Sequence, residues 1–541
     1  MFNGFTLLDS LILFVYLIVI LSIGFNYSRK RDRNSTDFFL AGRNAGWIAV
    51  GFSIFATNIS SEHFIGLAGE GASRGLAAGQ IELMAIFILI LLGWFLAPIY
   101  FKSGVITMPE FLEKRFDARS RKFFTYTSIV IYLFTKISVT LFAGGILFYK
   151  IFGFNIYTSA IILILITGLY SVIGGASAVI RTHTVQAILM IAGGIILTIF
   201  GLNEVGGIAG LKEKLPDHFF NMFKAASDPD YPWTGIIFGA PIIAFWYWCT
   251  DQYIVQRMLN AKSINDARRG SLLAASLKIL PIFILVLPGL IAVSLYPEIS
   301  GDDAYPMLLA SNLLPVGIKG FVVAGLLAAI MSSLASVFNS TAALYTNDIY
   351  KPKHPGASER ELVLVGRLST TIIVVVAILC VPLVKLITSQ VYIYLQSLQG
   401  FISPPITAVF LFGLLNKRIT AKAAFWTLII GEVIGVSRFI LEMLVNMEWI
   451  TNPILISIKE INFLHFAIIL FVLSSVLILA LSKLTKTEEE QKVTKITYLF
   501  PESIREFSYN FNHSGALGGY RTNIIISVFI LIVIFGLWSL W

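Results

Sequence analysis

The sequence predicts an all-α, polytopic membrane protein with about fourteen transmembrane helices, each apolar run reaching the roughly 20 residues that cross a bilayer. Composition is the first observation: 57% of the 541 residues are hydrophobic and 13% are charged. That is about half the charged fraction of a soluble domain. The second is the regular spacing of the apolar runs. The third is the charge of the loops, where Lys and Arg gather in every second connection, as the positive-inside rule describes for cytoplasmic loops.

In chain order the runs start near Leu8, Ala45, Gln80, Phe123, Ile156, Thr182, Thr234, Ser271, Val316, Leu362, Tyr392, Ala421, Ile461 and Asn523. The loop after the first run holds Arg29, Lys30, Arg31, Arg33 and Arg43; that after the third holds Lys114, Arg115, Arg119, Arg121 and Lys122. Lys262, Arg268 and Arg269 follow the seventh run, Lys351, Lys353 and Arg360 the ninth, and Lys417, Arg418 and Lys422 the eleventh, and the last long loop carries Lys483, Lys486, Lys492, Lys495, Arg505 and Arg521. The alternate loops are poorer in cations, and the one before the ninth run is acidic, with Glu298, Asp302 and Asp303. An even span count with both termini extracytoplasmic follows. The loop over 204–233 runs against the pattern with Lys212, Lys214 and Lys224, although acidic neighbours and length weaken its weight.

The N-terminus MFNGFTLLDS lacks a basic region and a small-residue cleavage site, so no signal peptide is expected to be removed. Asn34 and Asn512 stand in sequons on loops assigned to the cytoplasm and are not expected to be glycosylated. The segment 485–520 is too short and polar for a core and reads as a cytoplasmic linker. The net charge of +9 falls in short loops and points to membrane orientation rather than nucleic acid. Cys249 and Cys380 both lie in apolar runs and form no disulfide framework or metal motif. The six histidines are scattered and no catalytic constellation is present, which argues against an enzyme. No signalling domain is visible for a nutrient sensor; a sodium channel would differ by passing current without stoichiometric uptake of a solute.

Four polar clusters interrupt the apolar runs. The segment from Phe55 to Gly71, FATNISSEHFIGLAGEG, places Asn58, Ser60, Ser61, Glu62 and His63 inside a span. Such groups persist at membrane depth only where they face protein or a water-filled cavity, so a broken helix lining a transport site is expected. Glu82 and Lys278 are each costly alone in lipid; either they share one polar cavity or each snorkels or caps a helix end. Lys136, Asp251 and Arg257 are expected to pair structurally near the cytoplasmic side. In GLLAAIMSSLASVFNST, Ser332, Ser333 and Ser336 follow Ala329 and offer hydroxyls suited to an alkali cation, with close small-residue helix packing as the other reading. The stretch AFWYWCTDQY, Ala244 to Tyr253, could stack on the C–H face of a sugar ring or form an ordinary aromatic patch. Gln396, Gln399, Gly400, Ser403, Pro404 and Pro405 weaken one more helix, and Gln396 needs a polar partner.

Several long motifs then appear in order: TNISSEHFIGLAG, GVITMPEFLEKRF, WYWCTDQYIVQRMLNAKS, SLKILPIFILVLPG, SSLASVFNSTAALYTNDIY and YLQ…SPP. With them the chain resembles the solute:sodium symporter family, most closely its sodium/glucose cotransporter branch, over nearly its whole length. The resemblance implies a LeuT-type core of two inverted five-helix repeats. It divides the chain into an extra N-terminal helix and basic loop (1–44), a first repeat (45–203), an extracellular loop (204–233), a second repeat (234–416) and C-terminal helices (417–541). It implies a Na+ site, the coupling ion, at the Ala56, Ile59 and Ala329 carbonyls and the Ser332 and Ser333 hydroxyls. It implies a sugar site at Asn58, His63, Glu82, Lys278 and Gln396, with Tyr247 stacking on the ring and closing the inner side and Trp248 nearby. Leu67, Ile81 and Tyr392 match the outer gate.

The implied activity is symport of sodium with a glucose- or galactose-like hexose through the plasma membrane by alternating access, with no organic cofactor and a monomer sufficient. Myo-inositol is the alternative substrate, and proline, sialic acid and other small solutes come after it. The chain departs from members that couple a second sodium: His183 and Ala335 stand where those carry an acidic and a polar residue. One sodium per sugar is therefore expected. Ala244 replaces a polar side chain of a sugar-binding relative, and His63 occupies a position that varies between His and Gln.

Overall fold

A bilayer offers no hydrogen bonds to a bare backbone, so a chain this apolar must satisfy its peptide groups within helices. The computed structural model describes residues 5–31, 34–299, 301–381, 390–485, 500–505 and 520–540. Arg33, Asn512 and most of the linker expected near 485–520 lie outside the described residues. Among the described residues the regular structure is helical, with two isolated bridges, Ala45 to Ala261 and Lys224 to Pro232.

Eleven of these helices are long and apolar enough to cross a membrane. The fourteen runs and the eleven helices differ for identifiable reasons. The runs starting at Ile156 and Thr182 join in one 50-residue helix, Ile156–Val205. It is bent at Gly175, whose φ of 51° and ψ of −157° lie outside the helical region and suit a residue without a Cβ. The run starting at Ala45 yields a short helix, Trp47–Asn58, of 12 residues. Ala421–Asn446 is a 26-residue helix that is not among the eleven.

Two discontinuities organise the centre. Trp47–Asn58 ends where Ile59 turns extended (φ −76°, ψ 112°), and helix resumes through a wide π-type turn, His63–Leu67, into Ala68–Arg74. Trp233–Phe238 and Ala240–Phe245 lead into a second wide turn, Trp246–Thr250, which stops at Asp251, again extended. The Asp251 carboxylate accepts the Tyr253 N–H and so caps the helix Gln252–Leu259. Wide turns displace side chains relative to a regular helix and recur at functional sites. A third, Leu133–Ile137, carries Lys136.

Ile318–Leu344 runs beside the first break and is buried along almost its whole length. A membrane helix that meets no lipid can afford serines. The helix Val391–Leu415 passes the other side of the break, and Gly66 allows the approach: a Cβ there would lie 2.6 Å from the Tyr392 amide nitrogen and 2.9 Å from its Cβ. Gly66→Ala is expected to destabilise the protein by roughly 1–3 kcal/mol through overpacking. Gly536→Ala, where an added Cβ meets nothing within 4 Å, should be neutral. Thermal unfolding of the purified variants compares them, and equal melting temperatures would refute the close contact.

Candidate functional site

The end of Trp47–Asn58 leaves backbone carbonyls without helical donors, and these are met from the neighbouring helices. Ser332 Oγ lies 2.7 Å from the Ala56 carbonyl oxygen and 2.9 Å from that of Ala329. The Ser333 hydroxyl donates to the Thr57 carbonyl at 3.1 Å, and the Tyr253 hydroxyl donates to the same oxygen at 2.6 Å. Ala56, Ala329, Ser332 and Ser333 are thus brought together, while the extended Ile59 carries its carbonyl out of the helical ladder. The oxygens are hard and neutral, the donor set an alkali cation takes rather than a transition metal. Behind them His183 is buried: its Nδ1 lies 2.8 Å from Ser53 Oγ and its Nε2 3.5 Å from Ser336 Oγ. Ala335 is also fully buried beside this cluster.

A few residues further along the same broken helix, a cavity of about 540 Å³, open solvent at its mouth included, is lined by Asn58, His63, Glu82, Tyr247, Trp248, Lys278 and Gln396. All seven side chains expected at a sugar site therefore face one space. Their partners explain the arrangement. Lys278 pairs with Glu82 and donates to Asn58 Oδ1 at 2.7 Å. Asn58 Nδ2 donates to the Tyr247 hydroxyl at 3.1 Å, and the Tyr392 hydroxyl donates to Glu82 Oε1 at 2.8 Å. Lys278 Nζ also lies 5.4 Å from the Trp248 ring centre, within cation–π range. Ile81 lines the cavity, whereas Leu67 and Tyr392 are buried beside it toward the Arg74 end of the broken helix.

Lys136 differs from the structural role expected for it. Its ammonium sits 4.1 Å from the Tyr247 ring centre and 5.0 Å from that of Tyr253, and it lines the cavity. Asp251 and Arg257 take neutral partners rather than the charge pairing expected. Asp251 takes the Tyr132 hydroxyl as well as its cap bond, and Arg257 Nη2 donates to Ser340 Oγ at 3.1 Å. Glu62, left without a role by the sequence, also lines the cavity and accepts a 3.3 Å bond from Thr140 Oγ1. Ala85, Ala240, Ile243, Ala244, Leu395, Gln399 and Leu464 complete the wall. Leu464 carries no sequence signal, because an apolar residue in an apolar span looks like any other. Lys136 carries one, a cation in mid-span, but nothing local shows which aromatic it meets.

Outside the spans, Asp302 and Arg115 are among the ionisable groups that burial perturbs. Burial pushes the Asp302 carboxyl up to about 6, against the lowering effect of the Val391 N–H that it accepts at 3.0 Å. Burial likewise pulls Arg115 down to about 10, although its guanidinium is bound by the Gly413 and Asn416 carbonyls at 2.6 and 2.9 Å.

A bundle with two interrupted helices around a polar central cavity is the architecture of a membrane carrier. Comparison with known proteins agrees. The sodium:solute symporter family model matches residues 38–431, and the chain belongs to that family. It is 39% identical over 525 residues to sodium/glucose cotransporter 1 of Ovis aries, covering 88% of this chain and 79% of that protein. It is 37% identical over 532 residues to sodium/glucose cotransporter 4 of Mus musculus, covering 91% and 77%. Among solved structures it resembles a Na+-coupled sialic acid symporter in a substrate-bound outward-open state, with a TM-score of 0.78 at 22% identity over 90% of this chain and all of that one. A nucleobase-cation-symport-1 family transporter in a closed conformation follows, at 0.54 and 14% over 87% of this chain and all of that one.

Removing one member of a buried ion pair leaves the other charge uncompensated, at a cost of about 3–5 kcal/mol. Lys278→Met is expected to destabilise by that order, and Glu82→Gln in the same chain should recover most of it without restoring transport. Melting temperatures of the two single variants and the double variant give the coupling; strictly additive losses would mean the two groups are not paired.

Proposed function

We propose that this protein is a secondary active symporter that couples inward movement of one sodium ion to uptake of one neutral hexose of the glucose or galactose type across the plasma membrane. The observation that supports this most is the continuity of one backbone segment between two sites. Ala56 carries an oxygen of the cation cluster, and Asn58, two residues on, faces the cavity. Sodium at the Ala56, Ile59 and Ala329 carbonyls and the Ser332 and Ser333 hydroxyls would fix the end of the broken helix. That fixes Asn58 and His63 for the sugar, a coupling that is reciprocal by linkage.

The substrate reading follows from charge. The cavity wall holds two carboxylates, Glu62 and Glu82, and two ammonium groups, Lys136 and Lys278. A balanced wall of donors and acceptors suits an uncharged polyol, whereas an acidic sugar such as sialic acid calls for excess positive charge. In this reading Glu82, Lys278, Asn58, His63 and Gln396 exchange hydrogen bonds with ring hydroxyls. Tyr247 stacks on the pyranose and closes the inner side with Trp248 beside it, and Leu67, Ile81 and Tyr392 close the outer side. Myo-inositol is the second reading, since a cyclitol offers a similar ring of hydroxyls. The curated relatives named above are sodium/glucose cotransporters, which favours the hexose.

The two helix breaks, at Ile59 and Asp251, suit corresponding positions of two inverted repeats, 45–203 and 234–416, with fourteen spans in all. Residues 1–44 and 417–541 then supply the extra helices, 204–233 an extracellular loop, and both termini are extracytoplasmic. A single sodium fits His183, whose ring nitrogens are engaged by Ser53 and Ser336 where a second cation would need an anion. One sodium crossing 100 mV releases about 2.3 kcal/mol, enough for more than tenfold accumulation before the concentration term is added.

Proteoliposomes with an imposed sodium gradient test the reading with labelled glucose, galactose and myo-inositol. Hexose uptake should require inward sodium and approach one sodium per sugar. Uptake indifferent to sodium would overturn symport, a ratio near two would overturn the stoichiometry, and inositol preferred over both hexoses would select the second reading.

A further inference from the structure

At the Arg74 end of the broken helix, a polar cluster stands outside both sites and has no part in the coupling described above. Arg74 belongs to Ala68–Arg74 and reaches three partners at once. Its Nη1 lies 3.2 Å from Glu70 Oε2 one turn back, its Nε donates to Asp230 Oδ2 at 2.5 Å, and Nη1 also donates to Gln390 Oε1 at 2.6 Å. Each partner is held in turn. The Tyr231 hydroxyl donates to Glu70 Oε2 at 2.9 Å. Asn462 Nδ2 donates to the Pro229 and Asp230 carbonyls at 2.7 and 3.1 Å, fixing the loop that carries Asp230. Gln390 Nε2 donates to Ser73 Oγ at 3.0 Å.

Gln390 is the residue before Val391–Leu415, and Tyr392, two positions on, donates to Glu82 in the cavity wall. One guanidinium therefore ties the broken helix, the loop that carries Asp230 and the N-cap of the helix that carries the outer-gate tyrosine. The Glu70 side chain is fully buried while those of Arg74 and Asp230 are 28% and 29% exposed. The Glu70–Arg74 pair is thus anchored in protein, and the Asp230 and Gln390 contacts are within reach of water. That division lets the outer contacts break without stranding a buried charge.

We propose that Arg74 is the positioning residue of the outer gate: by holding Asp230 and Gln390 it keeps Tyr392 closed over the cavity, and release of those two contacts opens the cavity to the outside. The proposal rests on the symport reading for the side from which substrate enters, but the latch itself is a statement about closure. Asp230→Asn and Gln390→Ala weaken the bridge and spare the Glu70–Arg74 pair.

The test uses full-length protein with Cys249 and Cys380 replaced by Ala and a reporter cysteine at the cavity-lining position of Ile81. A membrane-impermeant thiol reagent is applied from outside to the parent and to the variant carrying Asp230→Asn and Gln390→Ala. Labelling should be about fivefold faster or more in the variant, and its half-saturating sodium concentration lower by a similar factor, because a more populated open state binds external cation with less conformational cost. Arg74→Lys keeps one charge but loses the fork, and should fall between the two. Equal labelling rates and equal sodium dependence in all three proteins would overturn the latch. Faster labelling in a protein that carries no sugar would uphold the latch while the symport reading fails.

Discussion

The arrangement of this protein depends on one unpaid debt in its backbone: a helix at membrane depth stops at Asn58 and resumes near Glu62, and the carbonyls before the gap have no helical donors. In lipid each such group would cost several kcal/mol. The neighbouring elements answer it. Ser332 and Ser333 come from a helix buried along nearly its whole length, and Tyr253 comes from the helix beyond the second break. A hydroxyl can rotate, donating to a carbonyl at one moment and turning its lone pair to a cation at another. The groups that make the break tolerable are therefore also the groups able to hold sodium.

The central polar cavity, the proposed sugar site, is a consequence of the same break. The π-type turn that restarts the helix presents His63, and Asn58 sits on the last turn before the gap. Lys278 and Glu82, 196 residues apart, neutralise each other against Asn58. Tyr247 bonds Asn58 on one side and carries Lys136 over its ring on the other. A shift of the broken helix thus reaches Tyr247 through Asn58, and Asn58 in turn meets Tyr392 through Lys278 and Glu82. In the proposed symporter that linkage is a physical route by which one cation would influence both gates.

Much of this was legible in the sequence because the membrane makes exceptions conspicuous. Apolar runs gave the helices, and Glu82, Lys278 and the serine pair stood out as groups that lipid would not tolerate. What stayed hidden is relational. The sequence marked Lys136 as a charge in a span but not that its ammonium would meet Tyr247, which comes from a different helix. Wide turns at His63–Leu67, Leu133–Ile137 and Trp246–Thr250 have no composition signature, yet they carry cavity residues. Arg74, Asp230 and Gln390 are ordinary polar residues near loops, and only the folded chain joins them. The break after Asn58 is legible in the polar run of Phe55–Gly71, but the 12-residue length of Trp47–Asn58 is not, because the apolar run continues past the break.

Reciprocal binding measures the central claim, that one backbone segment serves both ligands. Calorimetric titration of glucose at zero and saturating sodium, and of sodium at zero and saturating glucose, gives two affinity ratios. Both should exceed about fivefold and equal each other, since a coupling free energy is shared by the two ligands. Ser332→Ala should bring both ratios toward one. A glucose affinity that sodium leaves unchanged in the parent protein would contradict the account.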